Sequence, residues 1–312
     1  MEKTTGTYAL VIHGGAGTME PTAAESEKQA YRASLEKALS AGRDILASGG
    51  TALDAVETCV RILEDDEKFN AGKGAVFNEQ ARHELDASIM DGSTMACGAV
   101  AGTRTVKNPI ALARLVMTRS GHVMLIGDGA EKFADAMGAE NGIERVPNSY
   151  FGTTRRYEQM QRKLEERRKN DPLLQKSRGT VGAVALDTRG NLAAATSTGG
   201  LSAKRFGRVG DTPVIGAGTY ANKLVAVSCT GTGEEFIRFG VAKDVAARYE
   251  YQGLTLNQAA DHLIFKTLQP DDGGLIAVSH KGEVATPYSS IGMYRGVATS
   301  GGRFEVRIFK DE

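Results

Sequence analysis

The chain has 312 residues, 41% hydrophobic and 24% charged, an ordinary globular composition with enough apolar material for a large core. Its 38 basic residues balance 38 acidic ones, so no net field draws it to nucleic acid or to an anionic membrane. No apolar run approaches the roughly 20 residues of a membrane span, and the run that follows the polar residues 1–8 is too short for a secretion signal. A cytoplasmic protein is expected. Cys59, Cys97 and Cys229 form no CxxC pair and sit in apolar contexts, so buried free thiols are expected rather than a zinc cluster or a disulfide framework.

Residues 8–12 read as a buried strand ending at a glycine-rich turn, His13-Gly14-Gly15-Ala16-Gly17. Residues 25–47 have helical apolar spacing and stop at Gly49-Gly50. Thr51 caps a second helix, with Asp54 three residues on, running to about residue 63. A charged loop, residues 65–68, leads into Phe69-Asn70-Ala71-Gly72-Lys73-Gly74, whose glycines permit tight backbone geometry. Residues 85–90 and 96–101 form a strand pair around Asp91-Gly92-Ser93. Pro109 opens a helix to about residue 118, followed by a strand at 122–126 and a helix at 130–137.

The character then changes. Residues 154–170 read as a highly charged helix and 171–179 as polar and unpatterned, so the stretch from about 140 to 178 is expected to contain a mobile, exposed linker. From residue 154 on, its arginines and lysines are interleaved with a single aromatic, Tyr157, too few for base stacking, which favours a solvated face. Beyond it, residues 181–186 and 192–197 form a hairpin, 214–220 and 224–229 are strands, and 234–249 and 256–268 are helices. Residues 275–279 and 284–288 make another hairpin, and 304–309 a closing strand. Paired helices and hairpins, without strict strand–helix alternation, predict antiparallel sheets covered by helices in one interrupted α+β domain.

Several familiar chemistries are absent. No GxSxG elbow occurs. Gly72-Lys73 lacks the Ser or Thr of a P-loop, and the loose GxGxxA at 216–221 runs into a strand rather than a helix. The five histidines (His13, His83, His122, His262 and His280) lack metal-ligand spacing.

Three features survive. Gly179-Thr180 joins the linker to an apolar strand. A threonine there is common for packing reasons alone. If the peptide bond before Thr180 were cut, however, its new α-amine, with a pKa of about 7.7–8.0, would lie beside its own hydroxyl as a base. Ser228-Cys229-Thr230-Gly231-Thr232-Gly233-Glu234 lies between a strand and a helix start. It suits an oxyanion or phosphate site, or simply a capped helix. Gly207-Arg208-Val209-Gly210-Asp211 offers a guanidinium for a carboxylate and a carboxylate for an ammonium, or merely a local ion pair.

Taken in order, HGGAG at 13–17, FNAGKGAVF at 69–77, ELDASIMDG at 84–92, GTVGAVALD at 179–187, TSTGG at 196–200, GRVGD at 207–211 and CTGTGE at 229–234 resemble the plant-type asparaginases, or isoaspartyl peptidases, of the N-terminal nucleophile hydrolases. The resemblance spans nearly the whole chain. It implies a four-layer αββα sandwich, self-cleavage at Gly179-Thr180 into subunits 1–179 and 180–312, and a dimer of such pairs. It further implies Thr180 as nucleophile, Thr198 as its support, Thr230 and Gly231 as the oxyanion site and Asn70 beside them. Arg208 and Asp211 become the clamps for the substrate α-carboxylate and α-amine, with Gly233 a backbone contact. No organic cofactor is implied. A structural sodium is, on the carbonyls of Leu63, Glu64, Phe69, Ala71 and Lys73, where Lys73 departs from the apolar residue of the pattern. The implied substrates are β-aspartyl dipeptides and L-asparagine. The rival readings are a glycosylasparaginase, disfavoured by the expected cytoplasmic setting and unpaired cysteines, and a non-enzymatic anion or nucleotide binder.

Overall fold

A computed structural model describes residues 6–17, 19–169 and 179–312. Its larger sheet has eight strands: β1 (Ala9–Ala16), β2 (Leu85–Asp91), β3 (Cys97–Thr103), β4 (Met124–Ile126), β5 (Val181–Leu186), β6 (Leu192–Thr198), β11 (Met293–Thr299) and β12 (Phe304–Arg307). They lie in the order β12-β11-β1-β5-β6-β2-β3-β4 and are antiparallel except for β3 with β4. The smaller sheet is β10-β9-β8-β7, from β7 (Thr219–Ala221), β8 (Val225–Gly231), β9 (Gly273–Ser279) and β10 (Val284–Ala285).

Alternation along β1 builds the layers. Leu10 and Ile12 enter a core with Leu35 and Leu39 of α1 (Glu25–Ala47), Val56 and Val60 of α2 (Ala52–Glu64), and Ile110 and Leu112 of α3 (Pro109–Arg119). Ala9 and Val11 point the other way, into a core with Val225 and Val227 of the small sheet. That core continues to Val241 and Val245 of α7 (Val241–Tyr251) and to Leu256 and Ala260 of α8 (Leu256–His262). The result is the αββα sandwich, both cores dominated by aliphatic side chains. Phe69 is the aromatic hinge of the first core, edge-on to Tyr31 at 5.6 Å and to Tyr294 at 6.2 Å. Gly14 lies so close that a Cβ there would sit 2.4 Å from its ring. Phe69→Ala should therefore lose about 3–5 kcal/mol of unfolding free energy, read from denaturant titration.

The helix starts are where the local signals place them. Thr51 accepts from the Asp54 backbone N–H, and Thr255 makes a full capping box with Gln258. Other boundaries differ. β1 runs on through His13 to Ala16 with a bulge, so the expected glycine-rich turn is strand. Of 214–220 only β7 is strand, because the carbonyl of Asp211 accepts from the N–H groups of Val214 and Gly218 and curls the preceding segment into turns. The helix expected over 234–249 is two, α6 (Gly233–Phe239) and α7, divided where Gly240 turns left-handed at φ 56°. After α8 the coil widens to a π turn over Leu263–Thr267. β11 carried no sequence expectation at all.

The stretch assigned to a linker is built as far as residue 169. It contains two short 3₁₀ turns, Ala139–Asn141 and Asn148–Phe151, with α4 (Gly127–Met137) before them and α5 (Thr154–Lys169) after. α5 is docked on the body by a buried Met160 and by Arg156, whose Nε donates to the Gly74 carbonyl at 2.7 Å. The expectation for 170–178 lies outside the described residues. All three cysteines are free, Cys59 and Cys229 buried as expected and Cys97 only half-buried. No helix among the described residues is long and apolar enough to cross a membrane.

Candidate active site

β5 lies at the centre of the large sheet, between β1 and β6, and Thr180 precedes its first residue. The β5–β6 register pairs Val181 with Ser197, and one step further on Thr180 meets Thr198. Their hydroxyls are 3.2 Å apart, Thr180 Oγ1 donating. Thr198 Oγ1 also accepts from the Gly200 N–H at 3.0 Å, which folds the TSTGG turn back beside Thr180. Asn70 secures that turn: its Nδ2 donates to the Gly200 carbonyl, and its own carbonyl accepts from the Gly199 N–H.

Gly15 on β1 and Gly182 on β5, the strand Thr180 leads into, are dictated by close approach. Gly15, at φ 107°, passes so near Gly179 that a Cβ would lie 2.4 Å from its Cα. A Cβ on Gly182 would be 2.1 Å from Ser228 Oγ and 2.4 Å from His13 Nε2. The gap over Gly182 is where His13 crosses between the sheets. Its Nδ1 lies 3.1 Å from the Thr180 carbonyl, which can only accept, so Nδ1 carries the proton. Nε2 then accepts from Ser228 Oγ at 3.0 Å, and the donor chain continues back through Thr196, Thr219 and Ser88. Burial lowers the His13 pKa to about 3 against the raising influence of that carbonyl, so the ring stays neutral. A buried row of hydroxyls thus fixes the imidazole that holds Thr180's backbone.

The smaller sheet supplies the opposite wall. Thr230, near the end of β8, accepts at its Oγ1 from the Ala16 N–H at 3.2 Å. Gly231 ends the strand, and a Cβ there would be 2.1 Å from the Asp272 carbonyl. Gly233 opens α6 directly against the Arg208–Asp211 pair: a Cβ would meet Arg208 Nη2 at 2.8 Å and Asp211 Oδ1 at 2.9 Å. A Cβ on Gly200 would lie 3.6 Å from Arg208 Nη1, linking the Thr198 turn to the same pair. The fold therefore brings Thr180, Thr198, Asn70, Thr230, Gly231, Gly233, Arg208 and Asp211 into one contiguous set.

Arg208 and Asp211 make no ion pair with each other among the described residues. Arg208 makes a two-pronged contact with Glu234, Nε to Oε1 and Nη2 to Oε2, both at 2.9 Å. The Glu234 carboxylate thus occupies the guanidinium face that suits a ligand carboxylate. Asp211 is buried, and its Oδ2 accepts no hydrogen bond among the described residues. Burial raises its pKa to about 7, opposed by the neighbouring Arg208 charge. A buried carboxylate with one unpartnered oxygen beside a guanidinium is complementary to an α-amino acid head.

Carbonyls of Glu64, Glu67 and Phe69 crowd the glycines of the loop that follows α2. A Cβ on Gly72 would be 2.4 Å from the Glu64 oxygen, and one on Gly74 would be 2.3 Å from that of Glu67 and 2.7 Å from that of Phe69. Lys73 turns its ammonium over the Tyr150 ring, 4.6 Å from the centroid. Uncharged carbonyls suit a hard monovalent ion, and among the described residues no His, Cys, Asp or Glu group could hold a transition metal. The Glu64 side chain, its pKa raised by burial to about 8, accepts from Ser197 Oγ at 2.6 Å and so ties this loop to β6 next to Thr198.

The family profile described as Asparaginase matches residues 6–308. The chain belongs to the asparaginase family. It is 46% identical to the isoaspartyl peptidase of Escherichia coli (strain K12), over 98% of each chain. It is 42% identical to the isoaspartyl peptidase/L-asparaginase of Bos taurus, over 94% of this chain and 93% of that one. The Mus musculus protein of the same name is 43% identical, over 91% and 86%. Sequence reasoning missed two members of this site. His13 enters the sequence reading only within the HGGAG turn and as a rejected metal ligand, although a glycine inside the facing strand, Gly182, marks a close approach. Glu234 was read as part of a helix start, and nothing local reveals that it reaches back to Arg208.

Proposed function

We propose that this asparaginase-family chain is an amidohydrolase of β-aspartyl dipeptides and L-asparagine, activated by cutting itself between Gly179 and Thr180. The observation that carries the reading is the buried, unpartnered Asp211 Oδ2 beside Arg208, in the same contiguous set as the Thr180–Thr198 hydroxyl pair. In the uncut chain, Thr180 Oγ attacks the Gly179 carbonyl carbon, the acyl group passes from nitrogen to oxygen, and water cleaves the ester. Thr180 is left with a free amine. That amine then takes the hydroxyl proton as Oγ attacks the side-chain carbonyl of a bound aspartyl group. Thr230 and Gly231 face the developing oxyanion, with Asn70 holding the adjoining turn. The leaving amine departs with the proton, and water hydrolyses the β-aspartyl ester to aspartate. The substrate carboxylate replaces Glu234 on Arg208, and its ammonium meets Asp211.

The carbonyls of Leu63, Glu64, Phe69, Ala71 and Lys73 are proposed to hold sodium as a structural ion that stiffens the Asn70 loop. No chemical step passes through it, and no organic cofactor is required. Assembly as a dimer of cleaved pairs belongs to the same proposal. No feature of the site favours either rival reading.

Product analysis tests the reading. Incubation with β-aspartyl-leucine should release aspartate and leucine, L-asparagine should release ammonia, and α-aspartyl-leucine should survive. Equal hydrolysis of both linkages, or of neither, would contradict it. A pH profile tests the clamp. Ammonium binding needs ionised Asp211, and the nucleophile needs a neutral amine. kcat/KM should therefore fall at least about tenfold per pH unit below about 7, and a flat profile down to pH ~5 would count against both roles. The sign for stability is opposite. Folding raises the Asp211 pKa from 3.8 to about 7, so the native state holds an extra proton in that window and this group's contribution declines as pH rises through it.

A further inference from the structure

The loop that carries Arg208 is held from outside the site by the last turn of α5. Arg167 Nη2 donates to the Ala203 carbonyl at 2.9 Å, and its Nη1 lies 3.7 Å from Glu79 Oε2. The same Glu79 oxygen accepts from Arg205 Nε at 3.0 Å, so one carboxylate joins α5 to the substrate loop. Ala203 is fully buried and sits at φ 58°, a conformation a residue with a side chain keeps only when its surroundings impose it. Two bonds impose it, its N–H to the Phe77 carbonyl at 2.7 Å and its carbonyl from Arg167. Five residues on, the Arg208 N–H returns to the Arg205 carbonyl at 2.9 Å, so the curl at Ala203 fixes where the guanidinium starts.

We propose that Arg167 is a positioning residue for substrate binding, acting through the Ala203 carbonyl on the loop that presents Arg208. The inference rests on the proposed function and extends it. α5 precedes the proposed cut, so the carboxyl-terminal part of the larger subunit remains a working strut of the substrate clamp. Trimming of the severed end is tolerated only on the carboxyl side of Arg167.

The test is Arg167→Ala in the full chain, beside Arg167→Lys and the exposed neighbour Arg168→Ala. For Arg167→Ala, KM for a β-aspartyl dipeptide should rise on the order of tenfold, the scale of one charge-assisted hydrogen bond. Calorimetric affinity for L-aspartate should weaken by the same factor, while kcat stays within about twofold and the cut at Thr180 is unchanged. Lysine should recover part of the loss because its ammonium can still donate to the carbonyl, and Arg168→Ala should match the wild type. A wild-type KM and aspartate affinity in Arg167→Ala, or a loss confined to kcat, would overturn the inference. If the wild type itself neither hydrolyses the dipeptide nor binds aspartate, the proposed function fails and this inference with it. If the wild type does both and Arg167→Ala equals it, this inference fails alone.

Discussion

Replacing Thr180 with alanine should leave one uncut polypeptide and reduce turnover of β-aspartyl dipeptides by roughly 10⁴-fold or more, the scale of losing a catalytic nucleophile. Both effects follow from one atom. Thr180 Oγ1 is the attacking group in the cut and in each later turnover, and no second hydroxyl can replace it. Thr198 is 3.2 Å away, but it lies mid-chain on β6 and carries no α-amine. The loss should not come from unfolding. Among the described residues Thr180 Oγ1 makes one side-chain hydrogen bond, and its backbone is still held by His13 through the carbonyl. Thermal unfolding of Thr180→Ala should thus stay within a few degrees of the wild type. Thr180→Ser keeps both hydroxyl and amine and should cut and turn over, more slowly. An alanine variant that is still cut at residue 179, or still active, would assign the chemistry to another group.

The second large effect is expected at Arg208. Arg208→Ala should lower kcat/KM by about 10²-fold or more, mostly through KM, because a desolvated, two-pronged carboxylate contact is lost. Lysine should recover little, since a point charge cannot reproduce the fork that now grips both oxygens of Glu234. The cut at Thr180 should persist, because it requires no bound amino acid head. Separating these readouts distinguishes substrate binding from assembly of the site. A variant with unchanged KM would mean that the substrate carboxylate is read elsewhere.

The parts of this molecule legible from sequence are those that local chemistry determines. Thr51 with Asp54 and Pro109 announce α2 and α3, and the two apolar runs 181–186 and 192–197 give the β5–β6 hairpin and thereby the pairing of Thr180 with Thr198. The parts that were not legible are set by distant neighbours. β11 contains Arg295 and Gly296, which break an apolar pattern. Gly296 is in tight contact with Ile12 and Leu39, where a Cβ would lie 3.1 Å and 3.2 Å from their side chains. The break at Gly240 divides a continuous helical periodicity with a single left-handed residue. The two charged residues of the GRVGD loop were legible as an amino acid clamp. That Gly233 packs on them, that Glu234 covers the guanidinium and that α5 braces the loop are tertiary facts with no local signature.

Self-activation at Thr180 is the central claim, and the intact mass of purified wild-type protein tests it most directly. Under denaturing conditions it should show two polypeptides, one ending at Gly179 or trimmed short of it and one spanning 180–312 with a free amino-terminal threonine. The Thr180→Ala preparation should show one. A wild-type chain of 312 residues that remains whole while hydrolysing β-aspartyl peptides would contradict the account.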